Sequence, residues 1–205
     1  ASILDNLPSI SIPAAAHELL QSIKDPVMRE TTRDYFVNQQ FRRDIFVKGP
    51  RNMAPYDHGK RIEKESFMLL GDPEKCPTKV ATAIGEADLS AKFYPPVVKA
   101  LAAFPNATAS VADLMTVKEL SAFNRAQIWE VLLVLTGAGF VAPVSKSTTP
   151  DEDVAASRSL NAHLMERADA GAGVDYLAAP QLATAISVPR IEQMFIRAIL
   201  AKAKD

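Results

Sequence analysis

Any chemistry in this 205-residue chain would have to start from one cysteine, three histidines and a scatter of carboxylates. Cys76 stands between Lys75 and Pro77, where the adjacent ammonium should lower the thiol pKa slightly and favour the thiolate. A nucleophile also needs an activating base, and none stands at a recognisable spacing, so Cys76 reads as an incidental loop cysteine. His17, His58 and His163 are far apart and show none of the spacings of metal ligands. With a single cysteine, a structural zinc site is not expected either. Asp151, Glu152 and Asp153 form the acidic first turn of a helix before they form a cation site. No phosphate-cradling glycine loop occurs. Gly137-Ala-Gly139 follows a helix and reads as its C-terminal cap, and Gly171-Ala-Gly173 reads the same way. This census predicts no catalytic, cofactor-binding or metal-binding residues in the chain.

The totals narrow the class further. Hydrophobic residues make up 48% and charged residues 23%, a balance that builds a core and argues against disorder. The formal net charge of −1 gives no global attraction to nucleic acid or to an anionic membrane. One cysteine excludes an intramolecular disulfide framework and suits a reducing cytoplasm. No apolar run of about 18 residues is present, so no membrane span is expected. The chain begins with Ala1 rather than methionine, as an excised part of a longer protein would.

The expected architecture is α+β: a helical N-terminal part, small antiparallel β elements, a winged-helix-like centre and a C-terminal helix–strand–helix segment. Residues 2–12 read as a loose, mostly apolar lead, followed by a helix from Pro13. Asp25 as N-cap and Pro26 at the first position start a second helix running to about Gln40. On it, Val27, Met28, Thr31, Tyr35 and Phe36 lie near one stripe. Phe41 to Lys48 alternates as a strand would. Residues 51–64 read as a surface loop. Between Arg42 and Lys64 seven Lys/Arg face three Asp/Glu, a local excess of four positive charges. Arg42, Arg43, Lys48 and Arg51 in this stretch suit a docking surface for an acidic partner. Phe67–Leu70 reads as a buried strand, and 79–84 with 87–93 as a hairpin turning at Gly85-Glu86.

From Tyr94 to Val144 the order is helix, short helix, buried helix, strand. Ser110 with Asp113, and Asn124 with Gln127, have capping-box spacing, and Phe123 with Ile128 has the spacing of a hydrophobic staple. That order is the order of a winged helix. A recognition helix must expose donors to base edges and phosphates, whereas Ile128, Trp129, Val131, Leu132, Leu133, Val134 and Leu135 leave almost no polar face. The module is therefore expected to contact protein, with a winged-helix DNA-binding transcription regulator as the alternative. A third reading, an enzyme of unrecognised type, would need a pocket with convergent titratable groups in the C-terminal part. The expected division is 1–93, 94–148 and 149–205, the last either separate or packed with the first. A strand pair is expected at 174–177 and 182–188, and Ile191, Met194, Phe195, Ala198 and Ile199 form a stripe on the final helix.

Two segments carry a family likeness. Asp34-Tyr35-Phe36-Val37-Asn38, running into Phe41-Arg42-Arg43 and on to Lys48, resembles the predicted methyltransferase regulatory domain of prokaryotic enzymes. Asp175–Pro180 with Ala183–Val188 resembles the C-terminal part of the same family. The resemblance implies an accessory region that follows a class I S-adenosylmethionine-dependent methyltransferase domain, in enzymes that include protein-lysine methyltransferases. It further implies that S-adenosylmethionine is held by that partner domain, in cis or in trans, and that this chain alone transfers no methyl group. On this reading Phe41, Arg42 and Arg43 are candidate contacts to the catalytic domain or to a protein substrate.

Overall fold

The computed structural model describes residues 3–41, 47–49, 51–82, 84–145, 151–171 and 173–202. It is an α+β chain of two compact units, Ala1–Pro143 and Val144–Asp205.

In the first unit a 3-10 turn, Ile3–Asn6, leads into α1 (Pro8–Ser11), α2 (Ala14–Ser22) and α3 (Pro26–Phe36). The lead is therefore ordered rather than loose, because its apolar residues have somewhere to go. Leu4 joins the main core and Ile12 a smaller one with Ala16, Leu20 and Val37. Leu4 lies so close to Gly137 that a Cβ there would come within 2.4 Å of its Cδ2, so only glycine permits the approach. Asp25 caps α3 as its spacing predicts, accepting from the Met28 amide at 2.7 Å.

The stretch expected as a surface loop contains a helix, α4 (Pro55–Glu63). Pro55 presets its first turn. Its buried Gly59 lets the Arg125 guanidinium lie directly on the backbone, where a Cβ would clash at 2.4 Å. Arg125 then pairs with Glu63 at 2.8 Å. That contact spans 62 residues of sequence, which is why local composition did not reveal the helix. The strand expected from Phe41 to Lys48 lies mostly outside the described residues.

β1 (Ser66–Leu69) is the centre of the main sheet. A hairpin of β2 (Lys79–Thr82) and β3 (Gly85–Asp88) follows. Its register pairs Thr82 with Gly85, so the chain turns before Gly85 and not at Gly85-Glu86. Then come α5 (Tyr94–Ala102), β4 (Thr108–Ser110), α6 (Val111–Met115), α7 (Arg125–Gly137) and β5 (Val141–Pro143). β1 pairs antiparallel with both β4 and β5, giving the order β4-β1-β5. The middle strand is thus supplied from upstream of α5 and not by a hairpin after β5. Phe67 sits at the centre, opposite Ala109 on one side and Pro143 on the other. Its ring meets Trp129 edge-on at 5.8 Å. Val97, Val98 and Leu101 of α5, Leu114 of α6 and Ile128, Leu132, Val134 and Leu135 of α7 are fully buried around it.

Both capping boxes form. The Asp113 amide donates to Ser110 Oγ at 3.1 Å and the Ser110 amide to Asp113 Oδ2 at 2.9 Å. The Gln127 amide donates to Asn124 Oδ1 at 3.0 Å and the Asn124 amide to Gln127 Oε1 at 2.9 Å.

The second unit contains α8 (Asp151–Asp169), a hairpin of β6 (Tyr176–Ala179) and β7 (Thr184–Ser187), and α9 (Arg190–Lys202). Asn161 of α8 closes the outer edge of β6, donating to the Ala178 carbonyl at 2.9 Å and accepting from its amide at 2.7 Å. Met165, Leu177 and Val188 form the core of this unit, with Leu164 against them.

Candidate partner-binding site

The chemistry-bearing residues are not gathered. His17, His58 and His163 stand on α2, α4 and α8. Among the described residues no group of three or more His, Cys, Asp or Glu is placed to hold a metal ion. Burial pushes the Cys76 thiol above its ordinary pKa, the opposite of the lowering expected from Lys75. The ammonium of Lys75 is engaged elsewhere, 3.6 Å from Asp72. A thiol so placed is a poor nucleophile.

The surface is more informative. α3 has no buried residue. It is held to its unit by Arg33, which donates to the Asp5 carbonyl and to Asn6 Oδ1, the latter at 2.8 Å. Partly buried Phe36 packs against the small core of α2. With the polar Arg33 turned inward, Val27, Met28 and Tyr35 are left facing outward, and Tyr35 is 83% exposed. Phe41, shortly beyond the helix, is 84% exposed. Of the residues expected as contacts, Phe41, Lys48 and Arg51 are all solvent-facing, and Arg42 and Arg43 lie outside the described residues. The stripe on α3 was visible as a pattern, but a periodicity marks a face without saying which way it points.

The first unit also carries two concavities. One, of about 670 Å³, lies on α5, walled by Pro95, Pro96, Ala100, Ala103, Phe104 and Val117, with Lys99 and Glu119 at its edge. The other, of about 630 Å³, runs between α1 and α7 and includes Pro8, His17, Trp129 and Glu130. The first is lined mainly by apolar side chains, while in the second Ser9 donates to the Glu130 carboxylate and His17 lies in the same lining. Sequence reading missed both; the second is built from elements distant in the chain, the first from α5 and the turn that follows it.

The segment bearing α1, α2, α3 and Phe41 has a known counterpart. Residues 1–48 match the predicted methyltransferase regulatory domain. The outward face of α3 lies wholly within the matched segment. Over 198 residues, 97% of the chain, there is 27% identity to an uncharacterized protein of Synechocystis sp., sll1526. The chain spans only 38% of the length of that relative. No solved structure matches. The name of the matched family is that of a regulatory, not a catalytic, domain, and the match covers residues 1–48. Among the described residues no helix is long and apolar enough to cross a membrane.

Proposed function

We propose that this chain is a regulatory or substrate-presenting module of an S-adenosylmethionine-dependent methyltransferase, including those that modify protein lysines. It acts by packing the outward face of α3, with Phe41, against the catalytic domain. The observation that carries the reading is the coincidence of two features in residues 1–48: the family match and a helix whose polar Arg33 points inward while Val27, Met28 and Tyr35 point out. Contiguous exposed apolar surface of this kind marks interaction sites, and exposed aromatic residues are the usual anchors of interfaces. Lys48 and Arg51 would steer an acidic surface onto it.

The methyl donor belongs to the catalytic domain, which binds it in cis or in trans, and this chain supplies no step of the transfer. Regulation then requires that the α3 face bind two states of the catalytic domain unequally. A difference of about 1–3 kcal/mol is the usual coupling. The inward burial of α7, with Ile128, Leu132 and Leu135 in the core, favours protein packing over the reading of a duplex.

The test is the affinity of the chain for a methyltransferase domain of the polypeptide that carries this module, measured by calorimetry. Tyr35→Glu should weaken binding tenfold or more, equivalent to about 1.4 kcal/mol. Equal affinity of wild type and Tyr35→Glu would remove α3 as the docking face.

A further inference from the structure

Helix α9 is mounted inside out. Its polar residues at positions i, i+3 and i+7 turn toward their own unit. Arg190 Nε donates to the Ala168 carbonyl at 2.6 Å, fully buried Gln193 donates to the carbonyls of Val174 and Val188 at 2.7 and 2.8 Å, and Arg197 pairs with Asp169. On the opposite side, Ile191, Phe195 and Ile199, at i, i+4 and i+8, make one continuous ridge. They are 69%, 67% and 66% exposed. Met194 and Ile196 stand to either side of it and are exposed as well, while Leu200, seven residues on from Gln193, lies on the side of the inward-turned polar residues. A soluble helix ordinarily buries such a stripe and wets its arginines. Among the described residues, the apolar cluster of the unit to which α9 belongs is small, Met165, Leu177 and Val188, with Ala168 also buried, and it takes in none of the large apolar side chains of α9.

We propose that a second copy of this chain covers the ridge, α9 lying antiparallel on its mate about a two-fold axis near Phe195. Three features favour this occupant. The ridge is symmetric about Phe195, so that a two-fold sets Ile191 opposite the mate's Ile199 and Phe195 opposite itself, as an isologous contact requires. Ridges of i, i+4 spacing interdigitate with one another in helix pairs. The face is also free of like-charge conflict at its centre, because Arg190 and Arg197 are occupied inward. For the same reason a bilayer is a poor occupant: an interfacial helix flanks its apolar face with Lys and Arg, and here the outward charges are one acid, Glu192, and one base, Lys202. The area suits a dimer as well. Five large apolar side chains, Ile191, Met194, Phe195, Ile196 and Ile199, each exposing roughly 100 Å² if about half of an aromatic-sized surface is open, give on the order of 500 Å². Ala198 and the stems of Glu192 and Lys202 bring this toward the roughly 800 Å² per partner of a stable interface.

The test is sedimentation equilibrium of the whole chain at micromolar concentrations. Wild type should sediment at twice the chain's 22.2 kDa, and Phe195→Glu at the monomer mass with unchanged circular dichroism. Tyr35→Glu, on the face assigned to the methyltransferase domain, should remain dimeric, which separates this proposal from that reading. In a Cys76→Ser background, Phe195→Cys should give a disulfide-linked dimer on mild oxidation, because the two positions meet on the axis. A wild type that stays monomeric overturns the proposal. So does a dimer that survives Phe195→Glu without cross-linking at Phe195→Cys, or a monomer whose Phe195-dependent binding is to phosphatidylserine vesicles.

Discussion

Ser110 and Asp113 show how much a single local exchange can fix. The serine hydroxyl donates to the carboxylate at 2.6 Å while accepting from its amide, and α6 starts there. The same hydroxyl, and then the Ser110 amide, hold the Asp113 carboxyl below its usual pKa. A carboxylate depressed in the folded state contributes stability above its unfolded pKa of about 3.9 and loses it as pH falls through the folded value. The contribution of this box should therefore be constant at neutral pH and fade only in acid. Ser110→Ala should cost about 1 kcal/mol in urea unfolding at pH 7, and a smaller difference at low pH. A difference that grows on acidification would contradict the assignment. This cap and that of Asn124 were legible in the sequence because each is closed within four residues. Cys76 was less so, since its thiol answers to burial by residues that sequence order does not place beside it.

At the scale of elements, legibility follows contact distance. The helices with local caps started where their caps placed them, although α3 stops at Phe36 and not near Gln40, and the first hairpin was found with its turn two residues early and its second strand ending at Asp88. α4 was not, because what fixes it is Arg125 on Gly59. The pairing of β1 was not either, since its partners β4 and β5 lie tens of residues downstream. Phe67, clamped between them and against Trp129, carries that sheet. Phe67→Ala should cost about 3–5 kcal/mol, the range of large core truncations, seen as a lower urea midpoint with an unchanged slope. A loss under 1 kcal/mol would mean that the sheet does not depend on it. The outward helices invite the opposite expectation. The stripes of α3 and α9 have the period of core-facing helices, and only the inward bonds of Arg33, Arg190 and Gln193 show that they point to solvent. Tyr35→Glu should accordingly leave stability within about 0.5 kcal/mol of wild type, as surface substitutions do. A large loss on unfolding would show that Tyr35 is structural and not a docking residue.

On the scale of the whole molecule, what the chain presents is surface. It has two compact units, no gathered catalytic groups among the described residues, and apolar helix faces turned outward on both. Its curated relative is much longer than the chain, and its first 48 residues match a methyltransferase regulatory domain. The motif census found no groups at catalytic or ligand spacings, and an accessory role was what the family resemblance implied. Direction of regulation was beyond its reach, since that depends on which state of a partner the α3 face prefers. The most direct measurement of the proposal is methyl-transfer turnover by an S-adenosylmethionine-dependent methyltransferase domain that binds this chain, with and without the chain added in trans. The account predicts a change in turnover or in acceptor KM of roughly 5- to 150-fold, the range of a 1–3 kcal/mol coupling, abolished by Tyr35→Glu. Identical turnover and KM with and without saturating chain would contradict it.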